Sequence, residues 1–165
     1  MPTTPFTRLD HIGITVPDLD QAVDYFVGVL GGEEIARGLP VTDDPPGTAM
    51  ADTLEVHPRS SLTVAVLRMG GGEKIELLHY DSPDATVHHP RNCDAGATHL
   101  ALQTDDIDQA WEHLRSDPET TLVGPSPNHL VSGPNAGLWW FYFRTPWGLT
   151  IEVASRDRRA VAACS

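Results

Sequence analysis

Two histidines and two glutamates occupy matching places in the two halves of this chain, in segments where they could share one metal ion. His11 and His99 each lie near the start of a segment that alternates apolar and polar residues, as a β-strand does. Glu76 and Glu152 each follow an isoleucine in a later segment of the same kind. Two imidazoles and two carboxylates suit a divalent Zn, Mn, Co, Ni or Fe ion, and they leave one or two positions open for water or substrate. The sequence therefore predicts a catalytic metal centre with four ligands: His11, Glu76, His99 and Glu152.

The two histidines belong to an internal repeat with a spacing of 88 positions. The matching pairs include His11 and His99, Asp18 and Asp106, Asp20 and Asp108, Gln21 and Gln109, and Ala22 and Ala110. An aspartate followed three residues later by a glutamine is typical of the start of a helix, where the side chain caps free backbone N–H groups. Each half is therefore predicted to run from a strand into a helix and then into several strands.

The remaining strands follow from short apolar segments bounded by turn residues. They are predicted near 35–39, 62–69 and 74–79 in the first half, and near 121–123, 138–144 and 149–154 in the second. Two stretches rich in Pro, Asp and Gly, at 40–58 and 81–95, are predicted to be long loops. The predicted organisation is a first module at 6–80, a linker at 81–95, a second module at 96–156 and a tail at 157–165.

The composition disfavours several classes of partner. The 165-residue chain has 11 Lys and Arg against 23 Asp and Glu, a net charge of −12. Such an acidic protein is unsuited to the phosphates of a nucleic acid or to an anionic membrane surface. No apolar segment approaches the roughly 20 residues that span a bilayer, and the two cysteines form no disulfide framework. We therefore expect a cytoplasmic protein that acts on a small molecule.

Four motifs carry a resemblance to a known family. The sequence resembles the vicinal oxygen chelate superfamily, which includes glyoxalase I, methylmalonyl-CoA epimerase, extradiol dioxygenases and bleomycin-resistance proteins. The motifs span nearly the whole chain: Leu9-Asp10-His11-Ile12-Gly13, Ile75-Glu76-Leu77-Leu78, Thr98-His99-Leu100-Ala101, and Thr145 to Glu152. The resemblance implies an α+β fold of two paired βαβββ modules that form a cupped half-barrel around the metal. It also implies a homodimer.

Within this superfamily the ligand set distinguishes several activities. His11, His99 and Glu152 alone would match the two-histidine, one-carboxylate site of an extradiol dioxygenase, whereas Glu76 supplies a fourth ligand that oxygen chemistry would leave open. The four positions resemble those of the glyoxalase I and epimerase branches. The resemblance then implies a metal-stabilised enediolate and a carboxylate that moves the proton next to a carbonyl. A binding-only antibiotic-resistance protein is the further alternative, and it would lack these ligands.

An epimerase is preferred to a glyoxalase I-like lyase because no basic clamp for a glutathione carboxylate is evident. The resemblance extends to epimerases of cyclitol ketones such as 2-epi-5-epi-valiolone, and an acyl-CoA is the alternative substrate. Glu152 is the predicted catalytic carboxylate. His57 and Glu55, at the end of the predicted long loop, are the candidates for a second acid or base, and Tyr80 is another.

Two further groups of residues have mainly structural interpretations. Trp139 to Phe143 form an aromatic strand, of which one or two members would line a substrate pocket. His79 is expected to face the side of its strand opposite Glu76, because it lies three positions further along. His88 and His89 are adjacent in the predicted linker, and they are expected to lie in a surface loop.

Overall fold

The computed structural model describes residues 5–43 and 47–156. The chain divides into two compact units, Met1–Val87 and His88–Ser165, and each is built on one mixed β-sheet. The elements of the first unit are β1 (Ile12–Thr15), α1 (Leu19–Gly28), β2 (Glu33–Arg37), β3 (Val41–Thr42), α2 (Ala49–Leu54), β4 (Ser61–Arg68) and β5 (Lys74–Asp81). Those of the second are β6 (Leu100–Gln103), α3 (Ile107–Ser116), β7 (Thr121–His129), β8 (Trp139–Arg144) and β9 (Thr150–Ser155).

The two sheets share one strand order. In the first unit the order is β1-β5-β4-β2, with β3 paired to β4, and in the second it is β6-β9-β8-β7. The first strand of each unit pairs in parallel with the last, and the other pairings are antiparallel. The registers match as well, because Gly13 lies opposite Glu76 and Ala101 lies opposite Glu152. This is the α+β repeat that the sequence predicts, and the predicted fold class is confirmed.

Helix capping follows the predicted motif in both units. The side chain of Asp18 accepts a hydrogen bond from the backbone N–H of Gln21, and that of Asp106 accepts one from Gln109, each at 2.9 Å. The long helix of each unit then buries its apolar face. In α1 the buried residues are Leu19, Ala22, Val23, Tyr25 and Phe26, and in α3 they are Ile107, Trp111 and Leu114.

Each helix covers one face of its own sheet. Ile75 and Leu77 of β5 are buried with the α1 residues, and Ile151 and Val153 of β9 are buried in the second unit. Trp111 of α3 meets Phe141 of β8 edge to face, with ring centroids 5.0 Å apart. Because side chains alternate along a strand, the glutamate between each buried pair lies on the face away from the helix.

The long loop predicted at 40–58 is wrong in part, because β3 and α2 lie within it. The proline and glycine residues at 45–47 are typical of a loop, and a helix of only six residues is too short to show a clear helical pattern. A tertiary contact supports the helix: Met50 is 2% exposed, and its N–H donates to the carboxylate of Asp43 at 3.0 Å.

Strand β7 extends well beyond the predicted 121–123. Its pairing with β8 is irregular between Val123 and Asn128, where Gly124 has φ 92° and two prolines lack N–H donors. The predicted tail at 157–165 lies outside the described residues. Over the ranges that the structure covers, none of the helices has the length and apolar character needed to cross a membrane.

Candidate functional site

The first histidine and glutamate are neighbours in the first unit. His11 lies directly before β1, two residues from Gly13, and Gly13 is opposite Glu76. His11 and Gly13 therefore share a face with Glu76. The Nε2 atom of His11 lies 3.4 Å from Oε2 of Glu76, and the two side chains are 42% and 30% exposed.

The second unit repeats this arrangement. His99 lies two residues before Ala101, which is opposite Glu152. The Nε2 atom of His99 lies 3.2 Å from Oε2 of Glu152. Glu152 is the less accessible of the two carboxylates, with a side chain 17% exposed against 30% for Glu76. The structure thus brings together the predicted ligands in pairs, one pair in each unit.

The geometry of each pair fits a shared metal ion. Two ligands bonded at about 2.1 Å to one ion, at the angles of octahedral or tetrahedral coordination, lie roughly 3.0–3.4 Å apart. The observed separations of 3.4 and 3.2 Å match this spacing, and both pairs join an Nε2 to a carboxylate oxygen. Within the described ranges no group of three or more His, Cys, Asp or Glu side chains has metal-binding spacing, so the four-ligand set stays a prediction.

Each histidine has a different second neighbour. The Nδ1 atom of His11 lies 3.1 Å from the carboxylate of Asp10. This hydrogen bond, together with the positive charges of Lys74 and Arg8, lowers the pKa of Asp10. A carboxylate on the far nitrogen fixes the ring and favours coordination through Nε2. Sequence reasoning did not assign a role to Asp10, although it directly precedes His11.

In the second unit the neighbour is an aromatic ring. Tyr142 meets His99 edge to face, with centroids 5.4 Å apart. Burial raises the pKa of Tyr142, as do the charge of Glu152 and the acceptor oxygens of its carboxylate. The sequence indicated the aromatic strand but not which member mattered. No local sequence signal distinguished Tyr142, because its place opposite Glu152 depends on the strand register.

The predicted second bases lie at one end of the first sheet. Glu55 follows α2 with φ 54°, the one described non-glycine residue with positive φ, and its side chain is exposed. His57 lies in the turn that leads into β4, where its carbonyl accepts from the N–H of Ser60. Ser61 is opposite Asp81, five positions along β4 from the residue opposite Glu76, or about 17 Å of strand. Within the first unit, the start of β4 is therefore far from the His11–Glu76 pair.

His79 faces the helix side of the first sheet, as the sequence predicts. Its Nδ1 lies 3.3 Å from the carbonyl oxygen of Val16, and the residue lines an open cavity of about 340 Å³ beside the start of α1. Arg37 also lines this cavity, but its guanidinium is paired with Asp20 and Glu34. Because Glu76 lies on the other face, this cavity is separate from the His–Glu pair of that unit.

Comparison with known proteins identifies the family. The model of the Glyoxalase/Bleomycin resistance protein/Dioxygenase superfamily matches residues 8–153. The chain belongs to this superfamily. Among solved structures, a glyoxalase family protein from Bacillus cereus aligns with a TM-score of 0.71 over 94% of this chain and 97% of its own. At 22% identity, that similarity concerns the fold of this superfamily member.

Two curated relatives in the superfamily are epimerases. A 2-epi-5-epi-valiolone epimerase from Actinomyces sp is 40% identical over 143 residues, which are 87% of this chain and 76% of the relative. Human mitochondrial methylmalonyl-CoA epimerase is 28% identical over 66% of this chain, and the aligned part spans about half of that relative, 52%. These relatives support an epimerase function for this member of the superfamily.

Proposed function

We propose that this chain is a metal-dependent epimerase that inverts a carbon next to a carbonyl, on a cyclitol-type ketone such as 2-epi-5-epi-valiolone. The observation that carries the proposal is the 40% identity to an epimerase of that name, over most of both chains. The net charge of −12 favours an uncharged polyhydroxy ketone over an acyl-CoA, whose phosphates would be repelled by an acidic protein.

The proposal includes one divalent cation, of Zn, Mn, Co, Ni or Fe, with four ligands: His11, Glu76, His99 and Glu152. Its support is the ligand-like spacing within each pair and the recurrence of the pair at the same strand register in both units. When bound, such a cation would polarise the carbonyl of a substrate that offers neighbouring oxygens.

Glu152 is the proposed proton-transfer group. Its Oε2 faces His99, and its side chain is the more buried of the two carboxylates. A carboxylate has about four lone-pair directions, so one oxygen can serve as a ligand while the other accepts the proton from the carbon next to the carbonyl. Partial burial keeps bulk water away from that carboxylate and favours proton transfer between the carboxylate and the substrate carbon.

Inversion also needs an acid or base on the opposite face of the carbon, and we propose His57 or Glu55. The Nδ1 atom of His57 accepts the backbone N–H of Arg59 at 3.0 Å, so the neutral ring carries its proton on Nε2. In this tautomer His57 can donate a hydrogen bond through Nε2–H, and it would act as a base through Nδ1 only after releasing the N–H of Arg59. The exposed carboxylate of Glu55 has no such restriction. Tyr80 of β5 is the next candidate.

The same proposal places the protein in the cytoplasm as a homodimer. The exposed Cys93 is a free thiol, which fits a reducing compartment. Light scattering coupled to size-exclusion chromatography would show twice the 17.9 kDa mass of the chain. A monomeric mass would contradict the dimer without affecting the proposed chemistry.

The test of function is proton exchange in heavy water. Metal-loaded protein is incubated in D₂O with 2-epi-5-epi-valiolone, or with methylmalonyl-CoA in a parallel sample, and followed by proton NMR and an oxygen electrode. We expect the signal next to the ketone carbonyl to disappear while the epimer forms, without oxygen consumption. Oxygen uptake with ring cleavage of a catechol would instead indicate a dioxygenase.

Three variants separate the roles of the proposed acid–base groups. Glu152→Gln should abolish both exchange and inversion. His57→Ala and Glu55→Gln are each assayed for exchange and for inversion, and the variant that exchanges without inverting has lost the second base. Full activity in both would contradict this assignment and move the role to Tyr80.

A further inference from the structure

The two His–Glu pairs differ in the residue that lies across the sheet from each glutamate. In the antiparallel pairing of β8 and β9, Tyr142 is directly opposite Glu152. In the equivalent pairing of β4 and β5, Val66 is directly opposite Glu76. Directly opposite side chains point to the same face of a sheet, with Cβ atoms about 5 Å apart. Glu152 therefore has a hydroxyl donor across the sheet where Glu76 has an aliphatic side chain.

Tyr142 contacts both members of its pair. Its phenol lies directly across the sheet from the carboxylate of Glu152, within reach of a hydrogen bond to it, and its ring stands at 73° to the ring of His99. One side chain thus spans the histidine and the carboxylate whose Nε2 and Oε2 atoms lie 3.2 Å apart.

The ring of Tyr142 is itself held by Trp140. The two residues share a face of β8 and pack edge to face, with centroids 5.2 Å apart and 69° between the planes. In the described part of the chain, the indole N–H of Trp140 is buried and has no hydrogen-bond acceptor. Trp140 is therefore placed for ring packing, and the position equivalent to it in the first unit is Val64.

We propose that Tyr142 is a positioning residue, which fixes the carboxylate of Glu152 through its hydroxyl and makes the two His–Glu pairs functionally unequal. A carboxylate that accepts a phenol hydrogen bond rotates less, and its remaining lone pairs keep a fixed direction. Glu152 is then oriented for proton transfer, whereas Glu76 serves as a ligand alone. This inference rests on the proposed function for the proton-transfer role, but the fixing of Glu152 can be tested without turnover.

The first experiment measures Co²⁺ binding to metal-free protein by calorimetry. Tyr142→Phe keeps the ring against His99 and Trp140 and removes the hydroxyl alone. Partners of metal ligands contribute about 10- to 100-fold in affinity, so we expect Tyr142→Phe to lower Co²⁺ affinity at least tenfold. Tyr80→Phe is the matched control for Co²⁺ affinity: it removes a phenol hydroxyl from β5, four positions or about 13 Å from Glu76. It should bind Co²⁺ as wild type does.

A double-mutant cycle shows whether the hydroxyl acts through Glu152. In a Glu152→Ala background, Tyr142→Phe should change Co²⁺ affinity by less than twofold, because the acceptor that the hydroxyl positions is gone. An equal loss in both backgrounds would overturn the proposal, as would a Tyr142→Phe protein with wild-type Co²⁺ affinity. Thermal unfolding of each variant identifies any general loss of fold.

Turnover separates this inference from the proposed function. With 2-epi-5-epi-valiolone as the probe, Tyr142→Phe should lower kcat at least tenfold and change KM by less than threefold. If wild-type protein turns over neither this ketone nor methylmalonyl-CoA, the proposed function fails. The Co²⁺ cycle still decides whether Tyr142 fixes Glu152.

Discussion

Gly13 of β1 lies directly opposite Glu76 of β5 and has no side chain to occupy the face that Glu76 shares with His11. A Cβ atom at Gly13 would lie 3.1 Å from Cδ1 of Leu78, a tight contact with a flexible side chain. The equivalent position in the second unit is Ala101, opposite Glu152. A small residue at this position therefore accompanies each His–Glu pair.

A side chain at position 13 should disturb the His11–Glu76 pair, and a larger side chain should disturb it more. Gly13→Ala reproduces the second unit and should leave Co²⁺ affinity within about twofold. Gly13→Val adds a branched side chain beside Glu76 on the face it shares with His11, and we expect Co²⁺ affinity to fall at least tenfold, as for other neighbours of ligands. Calorimetry on the two metal-free variants makes the comparison. Equal affinity in Gly13→Val and wild type would contradict a role for this space.

Removal of any proposed ligand should lower metal content. We expect purified His99→Ala, Glu76→Ala and Glu152→Ala proteins to hold less than a tenth of the wild-type metal by plasma mass spectrometry, because a missing ligand is replaced only by water. His88→Ala is the matched control, since His88 is exposed in the segment between β5 and β6. Wild-type metal content in His99→Ala would remove His99 from the site.

The left-handed backbone of Glu55 gives a stability prediction. Glycine adopts φ near 54° without the steric cost of a Cβ atom, so Glu55→Gly should raise the free energy of unfolding by about 1 kcal/mol. Glu55→Gln retains that cost and should unfold like wild type in urea. If Glu55→Gln loses inversion while Glu55→Gly is more stable, the residue serves catalysis at the expense of stability. No gain in Glu55→Gly would show that the turn carries no strain.

His89 should make stability depend on pH. Burial lowers the pKa of His89 below its ordinary 6.5, because the fold favours the uncharged ring. The contribution of His89 to the free energy of unfolding is therefore complete above pH 6.5. It is lost as the pH falls from 6.5 toward the lower pKa of the folded protein. Urea midpoints between pH 7.5 and 5 should decline less steeply in His89→Asn than in wild type. His88, the exposed neighbour, provides the control. If His88→Asn changed the pH dependence of the urea midpoint as much as His89→Asn does, the pH dependence could not be assigned to His89.

The sequence predicted the repeated parts of the fold because each rests on a local pattern. Asp18 and Asp106 cap their helices as expected, and the strands that carry Glu76 and Glu152 lie where alternation placed them. Helix α2 could not be predicted, because six residues bear little helical periodicity and their support is a contact with Asp43, outside the helix. The later part of β7 was missed because its prolines and Gly124 are typical of loops.

The site likewise has a part that local sequence patterns predict and a part that depends on the pairing of strands. The four proposed ligands stand out by type and by repetition, and the structure brings their side chains together as two pairs. The neighbours of those pairs depend on strand register, which a one-residue shift would change entirely. Only the pairing of β8 with β9 singles out Tyr142 from the five aromatic residues of its strand.

The parallel pairing of first and last strands has a consequence for how the chain folds during synthesis. Ile12 and Ile75 are partners separated by 63 positions, and Leu100 and Ile151 by 51. At about 5–20 residues per second, a ribosome needs roughly 3–13 s after making Ile12 to make its partner. Strand β1 must wait unpaired through that interval, and contacts so distant along the chain form slowly. A nascent chain halted at Gly72 would therefore keep an exposed strand edge, and it should aggregate or be degraded rather than fold as a smaller domain.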